Sequence, residues 1–191
     1  MRIMMKIYKK FLIISIFLIA FLIPIRVETA PWQIEMEIGL EKLNYRFKPY
    51  VQEFIKACSR EGIAIWVYDT WRTKAKQRAL HAQGRQPIDI VNKLRKEAGL
   101  EPITEQRNRH IITRKLVSPH NYGLAADFVP IVDGKPVWND ARLWEKCGKI
   151  AVRLGMEWGG LWKYLVDKPH IQMNRWDKFA TFVVPDRIIR E

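Results

Sequence analysis

The chain has 191 residues, 48% of them hydrophobic, and a formal net charge of +13. This length and composition suit one globular domain with an adequate core and exclude an array of small modules. The positive charge favours a partner with an anionic surface, such as nucleic acid, a wall polymer or lipid head groups.

The first thirty residues differ in character from the rest. Four basic residues within the first ten precede an uncharged apolar run from Phe11 to Ile25. A basic start followed by an apolar core is typical of an export signal. Ala30 could precede a cleavage site, but Glu28 stands where a small residue is preferred. We therefore expect residues 1–30 to be a signal peptide or a retained membrane anchor.

Export would place the remaining residues, 31–191, in the cell envelope. The location would be the periplasm, the wall or the outer face of the cytoplasmic membrane, with membrane contact through the N-terminal segment if it is uncleaved. An anionic wall polymer then becomes a more plausible partner than nucleic acid, and we expect no nucleic-acid binding.

The first predicted elements after the leader are two helices with a strand between them. Pro49 to Arg60 has a helical pattern, with proline in the first turn. Ile63 to Tyr68 is a continuous apolar run, which predicts a buried strand. Lys74 to Gln83 forms a second predicted helix that Thr73 caps.

The stretch from Arg85 to Val117 carries eight lysines and arginines, four acidic residues and scattered apolar residues. Asp89 to Ala98 can form an amphipathic helix. We expect the remainder to be a solvated, mobile excursion.

The predicted elements after this excursion complete a mixed fold. Leu124 to Pro130 predicts a strand, Asp133-Gly134 a hairpin turn, and Asp140 to Leu154 a helix capped by Asn139. A short strand near His170 ends the series. This order predicts an α+β fold with a small, mainly antiparallel sheet flanked by helices.

The two cysteines fall on the apolar stripes of predicted helices. Cys58 follows Phe54 and Ile55, and Cys147 follows Trp144. We interpret both as core thiols, while a disulfide between them stays open in an oxidising compartment.

Asp127 carries a carboxylate within the apolar run from Leu124 to Val129. An ionised group in such surroundings needs a partner, and a metal ion is one candidate. His120 precedes a flexible Gly123, so a turn can bring its imidazole back over Asp127. With His170 these residues offer two nitrogens and one oxygen, which suits a catalytic zinc site with one open position.

Three blocks of the sequence resemble the M15 family of metallopeptidases, which contains D-alanyl-D-alanine carboxypeptidases and L-alanyl-D-glutamate endopeptidases of the endolysin type. Ser118 to Asp127 is similar to the zinc motif, Glu157 to His170 to the second half of the endopeptidase branch, and Asp69 to Arg85 to a third block. The blocks occur in the family's order, and the resemblance covers roughly Leu43 to Met173.

The resemblance implies a role for individual residues and a fold like that of Hedgehog and D,D-peptidase domains. His120, Asp127 and His170 match the zinc ligands, Asp167 matches the catalytic acid/base, and Arg72 matches an arginine near the substrate carbonyl. An arginine there can stabilise an oxyanion or bind a substrate carboxylate.

Other candidate residues have two readings each. Gln77 and Trp162 could contact substrate, but Gln77 could equally be a helix-surface amide and an aromatic residue such as Trp162 is more often core. Glu157 is a rival for the base and alternatively a structural carboxylate at a strand end. Ser118 could orient the metal site from outside the ligand set.

The resemblance implies a zinc-dependent peptidase that cleaves peptidoglycan stem peptides, with the L-alanyl-D-glutamate bond preferred. The alternatives are a D-alanyl-D-alanine carboxypeptidase and a non-catalytic wall-binding module of the same fold. Nucleic-acid binding is a third class that only the positive charge suggests.

Overall fold

The computed structural model describes residues 31–180, so the expected leader or anchor at residues 1–30 lies outside the described residues. Within the described range, every helix is too short or too polar to span a bilayer. The α-helices are α1 (Pro31–Glu41), α2 (Lys48–Arg60), α3 (Lys74–Ala82), α4 (Ile88–Glu97), α5 (Glu105–Asn108) and α6 (Ala141–Arg153).

The described strands form one five-stranded antiparallel sheet. They are β1 (Ala64–Asp69), β2 (Ala125–Val132), β3 (Lys135–Pro136), β4 (Met156–Trp158) and β5 (His170–Met173). The order is β1-β2-β5-β4, and β3 pairs with the end of β2 through the predicted turn at Asp133-Gly134. The predicted α+β class with an antiparallel sheet is confirmed.

The central strand β2 separates the hydrophobic core from the candidate site. The ring of Phe128 packs against Phe54 of α2 and Trp144 of α6, with centroids 4.9 Å and 5.2 Å away. Because successive side chains of a strand point to opposite faces, Asp127 projects away from this aromatic cluster. An apolar strand can therefore carry one carboxylate on the other face of the sheet.

Two predictions of local structure need correction. The strand near Ile63 is buried on one face only, because successive side chains point to opposite faces of the sheet: Ile65 and Val67 are buried while Tyr68 is 40% exposed. The cap of α6 is Asp140 rather than Asn139, since the Asp140 carboxylate accepts a hydrogen bond from the amide of Leu143 at 2.9 Å.

The predicted helix at residues 89–98 is confirmed as α4, but the expectation that the rest of residues 85–117 is a solvated, mobile excursion is wrong where the chain packs against that helix. α3, α4 and the segment before α5 bury a second small core of Ala82, Val91 and Ile103. The Asn92 side chain donates to the carbonyl of Ile103 at 3.0 Å and accepts from its amide at 2.8 Å. These contacts give the segment a packed structure, although its high charge had indicated a solvated one.

The two cysteines are core thiols, as interpreted. Cys58 of α2 and Cys147 of α6 are fully buried and not joined by a disulfide in this structure.

Candidate metal centre

Three side chains from separate parts of the chain meet beside β2. His120 Nε2 lies 3.2 Å from Asp127 Oδ1 and 3.3 Å from His170 Nδ1. His170 Nδ1 lies 3.0 Å from Asp127 Oδ1. All three residues are buried, and together they form a group that could hold a metal ion. The structure thus brings the predicted ligands together.

The sheet itself places two of these side chains. Asp127 of β2 is the direct antiparallel partner of His170 of β5. Directly opposed residues have their Cβ atoms about 4.5–5.5 Å apart on the same face of the sheet. The backbone register therefore accounts for the meeting of a carboxylate and an imidazole that are far apart in sequence.

A short turn delivers the third side chain. His120 lies in a 3₁₀ helix, Pro119–Tyr122, whose first amide groups are satisfied by a capping box: Ser118 Oγ accepts from the His120 amide, and Asn121 Oδ1 accepts from the Ser118 amide at 2.9 Å. Gly123 ends the turn with φ of +65°, in the left-handed region that favours glycine. Ser118 thus supports His120 through the backbone.

Gly123 also touches the segment between α1 and α2. A Cβ added at Gly123 would lie 2.6 Å from the amide nitrogen of Asn44, a distance at which something must shift. The Asn44 amide donates to the Gly123 carbonyl at 3.0 Å. Position 123 therefore needs glycine for two reasons, its conformation and this close approach.

In each imidazole, the outer nitrogen is the one that faces away from Asp127. The partner of this nitrogen shows where the ring carries its proton. His120 Nδ1 lies 3.0 Å from the carbonyl oxygen of Thr70, which can only accept, so Nδ1 carries the proton. His170 Nε2 lies 3.0 Å from Gln172 Oε1 and likewise donates. Each ring therefore turns a lone pair towards Asp127 Oδ1.

This donor set fits a zinc ion. Three lone-pair atoms 3.0–3.3 Å apart repel one another unless a cation or a proton lies among them. Ligands at zinc–nitrogen distances of about 2.0–2.1 Å in a tetrahedron are roughly 3.3 Å apart, which agrees with the observed spacing. Two histidines and one carboxylate are also a ligand set of catalytic zinc sites.

Arg72 holds the second oxygen of the central carboxylate. Its guanidinium donates to Asp127 Oδ2 and, through Nε, to Asp69 Oδ2 at 2.8 Å. Lys76 Nζ reaches Asp69 Oδ1 at 3.2 Å. Arg72 does line the cavity, but its guanidinium is paired with two carboxylates and only 12% of the side chain is exposed. Orientation of Asp127 is the role its contacts show.

These contacts favour the charged form of the central carboxylate. Burial alone would raise the pKa of Asp127, but the two histidines and Arg72 hold that pKa well below its usual range. Burial lowers the pKa of His120, which keeps its ring neutral. Burial would also lower the pKa of His170, but its hydrogen bond and its attraction to Asp127 raise that pKa overall.

The three ligands open into a cavity of about 670 Å³ that also contains Asp167. The Asp167 carboxyl is half-buried, and burial, followed by the negative charge of Asp127, raises its pKa. Two hydrogen bonds hold the backbone of Asp167 in place. Its amide donates to the Gly159 carbonyl at 2.9 Å, and its carbonyl accepts from the His170 amide at 3.2 Å. A carboxyl group that can both take and hold a proton thus faces the same space as the ligands.

Two loop segments form the walls of this cavity. The first wall is residues 112–115, and the second wall is residues 161–165. The predicted substrate-contact residue Trp162 belongs to the second wall, and its ring packs against the His170 ring with centroids 5.1 Å apart. Tyr164, also in the second wall, is 80% exposed.

Gln77 and Glu157 lie elsewhere than the cavity surface. Gln77 is fully buried, and its side chain donates to the Lys115 carbonyl at 2.7 Å, so it supports the first wall from behind. The expectations of a substrate contact and of a helix-surface amide are both corrected, because α3 packs against that wall. Glu157 bonds to Gln172 and does not line the cavity, which agrees with the structural reading of this carboxylate.

Sequence reasoning missed several residues of the site, among them Tyr68 and Gln172. Both line the cavity. Gln172 could have been found, because it lies two residues after His170 in a strand and therefore on the same face. Tyr68 follows Val67 in an apolar run without any signal of a site. Burial and the nearby carboxylates raise the pKa of its phenol, which stays a hydrogen-bond donor.

The part of the chain that carries the site matches a family of known peptidases. Residues 112–173 match the M15 family model described as D-alanyl-D-alanine carboxypeptidase. Over 126 residues, the chain is 32% identical to the peptidoglycan L-alanyl-D-glutamate endopeptidase CwlK of Bacillus subtilis (strain 168). The aligned residues make up 61% of this chain and 65% of CwlK. The resemblance to peptidase family M15 that the three sequence blocks indicated is thus found again over residues 112–173 and in this relative.

A second curated relative is the L-alanyl-D-glutamate peptidase of Listeria phage A118, 28% identical over 139 residues, 71% of this chain and 40% of the phage protein. The chain thus spans less than two thirds of the length of either curated relative.

Solved structures with a similar course of the chain include two peptidases. The L-Ala D-Glu endopeptidase ChiX of Serratia marcescens has a TM-score of 0.49 and 21% identity, covering 75% of this chain and 90% of ChiX. The vancomycin-resistance D,D-pentapeptidase VanY, in complex with Zn(II), has a TM-score of 0.44 and 16% identity, covering 78% of this chain and 84% of VanY.

Proposed function

We propose that this protein is a zinc-dependent peptidase that cleaves the stem peptides of peptidoglycan, at the bond between L-alanine and D-glutamate. The observation that carries the proposal is the meeting of His120, Asp127 and His170, at donor distances suited to zinc, in a cavity that also holds Asp167. The bond preference is supported by the activity named for both curated relatives.

The residues of the site divide the chemical work. A zinc ion held by His120, Asp127 and His170 would supply Lewis-acid activation of a water and of the substrate carbonyl. Asp167 accepts the proton of the attacking water and returns it to the leaving amine. Tyr68 presents a protonated hydroxyl to the same cavity and can donate to the carbonyl oxygen as negative charge develops there. Arg72 keeps Asp127 ionised and oriented.

The walls of the cavity suit a peptide that carries carboxylates. Because Arg72 is already paired, a substrate carboxylate needs another cation. Arg114 of the first wall and Lys163 of the second wall line the cavity, and neither has an ion-pair partner among residues 31–180. We assign these two side chains to the free carboxylate of the D-glutamate residue, and Trp162 to apolar contact with the stem.

Metal analysis and a muropeptide digest of the full-length protein test the proposal. We expect about one zinc per chain, release of stem peptides with a new D-glutamate amino terminus, and loss of cleavage on treatment with a chelator. Release of D-alanine alone would instead establish a D,D-carboxypeptidase. Stoichiometric zinc with no cleavage of any muropeptide would establish a non-catalytic wall-binding module.

We also infer that the protein works in the cell envelope. The basic start and the apolar run from Phe11 to Ile25 support export, and the charge of +13 supports contact with anionic wall polymers rather than nucleic acid. Cell fractionation with sequencing of the mature amino terminus distinguishes a cleaved signal from an anchor. Recovery of the full-length chain in the cytosol would contradict the inference.

A further inference from the structure

The outer nitrogen of His170 has a side-chain partner, whereas that of His120 has a backbone partner. His170 Nε2 donates to Gln172 Oε1 at 3.0 Å, and His120 Nδ1 donates to the carbonyl of Thr70. A backbone carbonyl cannot turn over, but an amide side chain can present either its oxygen or its nitrogen. The tautomer of His170 therefore depends on what orients Gln172.

Glu157 provides that orientation. Gln172 Nε2 donates to Glu157 Oε2 at 2.6 Å, and a carboxylate can only accept, so the amide oxygen must face His170. The backbone amide of Arg175 approaches the other carboxylate oxygen of Glu157 at 3.4 Å. Both oxygens of Glu157 are thus used within the protein.

The sheet register builds this arrangement from neighbouring positions. Gln172 lies two residues after His170 on the same face of β5, and its direct partner on β4 is Glu157. His170 in turn is the direct partner of Asp127 on β2. A row of polar groups therefore crosses three strands. It consists of the Glu157 carboxylate, the Gln172 amide, the His170 imidazole and the Asp127 carboxylate.

We propose that Gln172 and Glu157 are a positioning pair that holds the His170 ring with Nδ1 towards the metal. Rotation of the ring is opposed on its other side by the Trp162 indole. This inference rests on the metal site of the proposed function, and it assigns Glu157 a role outside the catalytic acid/base. Groups that orient a ligand imidazole in this way contribute about 10–100-fold in metal affinity or activity.

Metal titration of full-length variants tests the pair without any substrate. Gln172→Leu removes both hydrogen bonds and should weaken zinc binding, measured by chelator competition, about 10–100-fold. Glu157→Ala should weaken it in the same direction, because the amide is then free to turn over. Glu157→Gln can still accept from the amide but no longer forces its orientation, so it should weaken zinc binding less than Glu157→Ala and keep cleavage at saturating zinc.

Controls separate this role from general damage to the fold. Gln52→Leu changes an exposed glutamine of α2 and should leave zinc affinity unchanged. The thermal midpoint of each metal-free variant reports folding, and Glu157 is exposed enough that its variants give a result even if Gln172→Leu unfolds. The absorption spectrum of the cobalt-substituted protein should change more in Glu157→Ala than in Glu157→Gln.

Two results would overturn the inference. One is zinc affinity in Glu157→Ala equal to that of the parent protein. The other is a Glu157→Gln variant that binds zinc normally but loses cleavage about 100-fold or more, which would make Glu157 a catalytic base. Failure of the proposed function looks different, because the parent protein itself would then bind no zinc or cleave no stem peptide.

Discussion

The metal centre and the cavity walls are built in opposite ways. At the centre, Asp127 uses both oxygens, each imidazole uses both nitrogens, and all three residues are buried. In the walls, Ile112 and Leu161 are 52% and 67% exposed, and Arg114 has no ion-pair partner among the described residues. Two of the three candidate ligands, Asp127 and His170, are thus held by the sheet, while the cavity walls are loops, where side chains can change without disturbing the metal site.

We expect the largest loss of zinc binding and cleavage from a change at Asp127, which contacts both histidines and Arg72. Asp127→Asn removes a metal ligand and leaves the buried Arg72 with one charge partner fewer. Breaking a buried ion pair costs about 3–5 kcal/mol. We expect no measurable zinc binding or cleavage and a lower thermal midpoint of the metal-free protein. A variant with normal zinc content would show that the carboxylate is not a ligand.

A smaller, purely catalytic effect is expected at Asp167. Asp167→Asn removes the proton acceptor but leaves the three ligands, so cleavage should fall about 10²–10⁴-fold while zinc content stays the same. Asp177→Asn, at an exposed aspartate outside the cavity, is the matched control and should cleave at the parent rate. Parent-like turnover in Asp167→Asn would move the acid/base role to another group.

An intermediate effect should follow from Arg72→Lys. The charge is kept, but a single ammonium group cannot reproduce the guanidinium contacts to Asp69 and Asp127 together. We expect zinc affinity and kcat to fall together by roughly 10-fold, the lower end of the range for groups that orient a ligand. A change confined to KM would instead show that Arg72 binds substrate.

The walls should give the smallest effects, and these should appear in KM. Arg114→Gln and Lys163→Gln should each raise KM about 5–10-fold for a stem peptide with a free D-glutamate carboxylate, since hydrogen bonds to charged groups contribute about 1.5–3 kcal/mol and exposure reduces this. With the same carboxylate amidated, the variants should equal the parent protein. An equal loss on both substrates would rule out this contact, and Lys168→Gln, outside the cavity, is the control.

The sequence could predict features that a local pattern determines, but not those that depend on how distant segments pack. Asp127 and His120 could be predicted because one is a carboxylate in an apolar strand and the other precedes a glycine turn, both local patterns. The hairpin at Asp133-Gly134 was equally local. The pairing of Glu157 with Gln172 depends on the register of β4 against β5, which no local pattern specifies. The position of Gln77 behind the first wall depends on how α3 packs, and its helical spacing does not contain that information.

The contact between Gly123 and Asn44 bears on where the domain that carries the candidate metal centre begins. The family match spans residues 112–173, yet the turn that bears His120 is braced by a segment some seventy residues upstream of its start. A truncated version beginning after Asn44 would lose this brace and let the ligand-bearing turn shift. The smallest intact unit therefore includes Asn44, and expression boundaries drawn from the family match alone would leave this contact out.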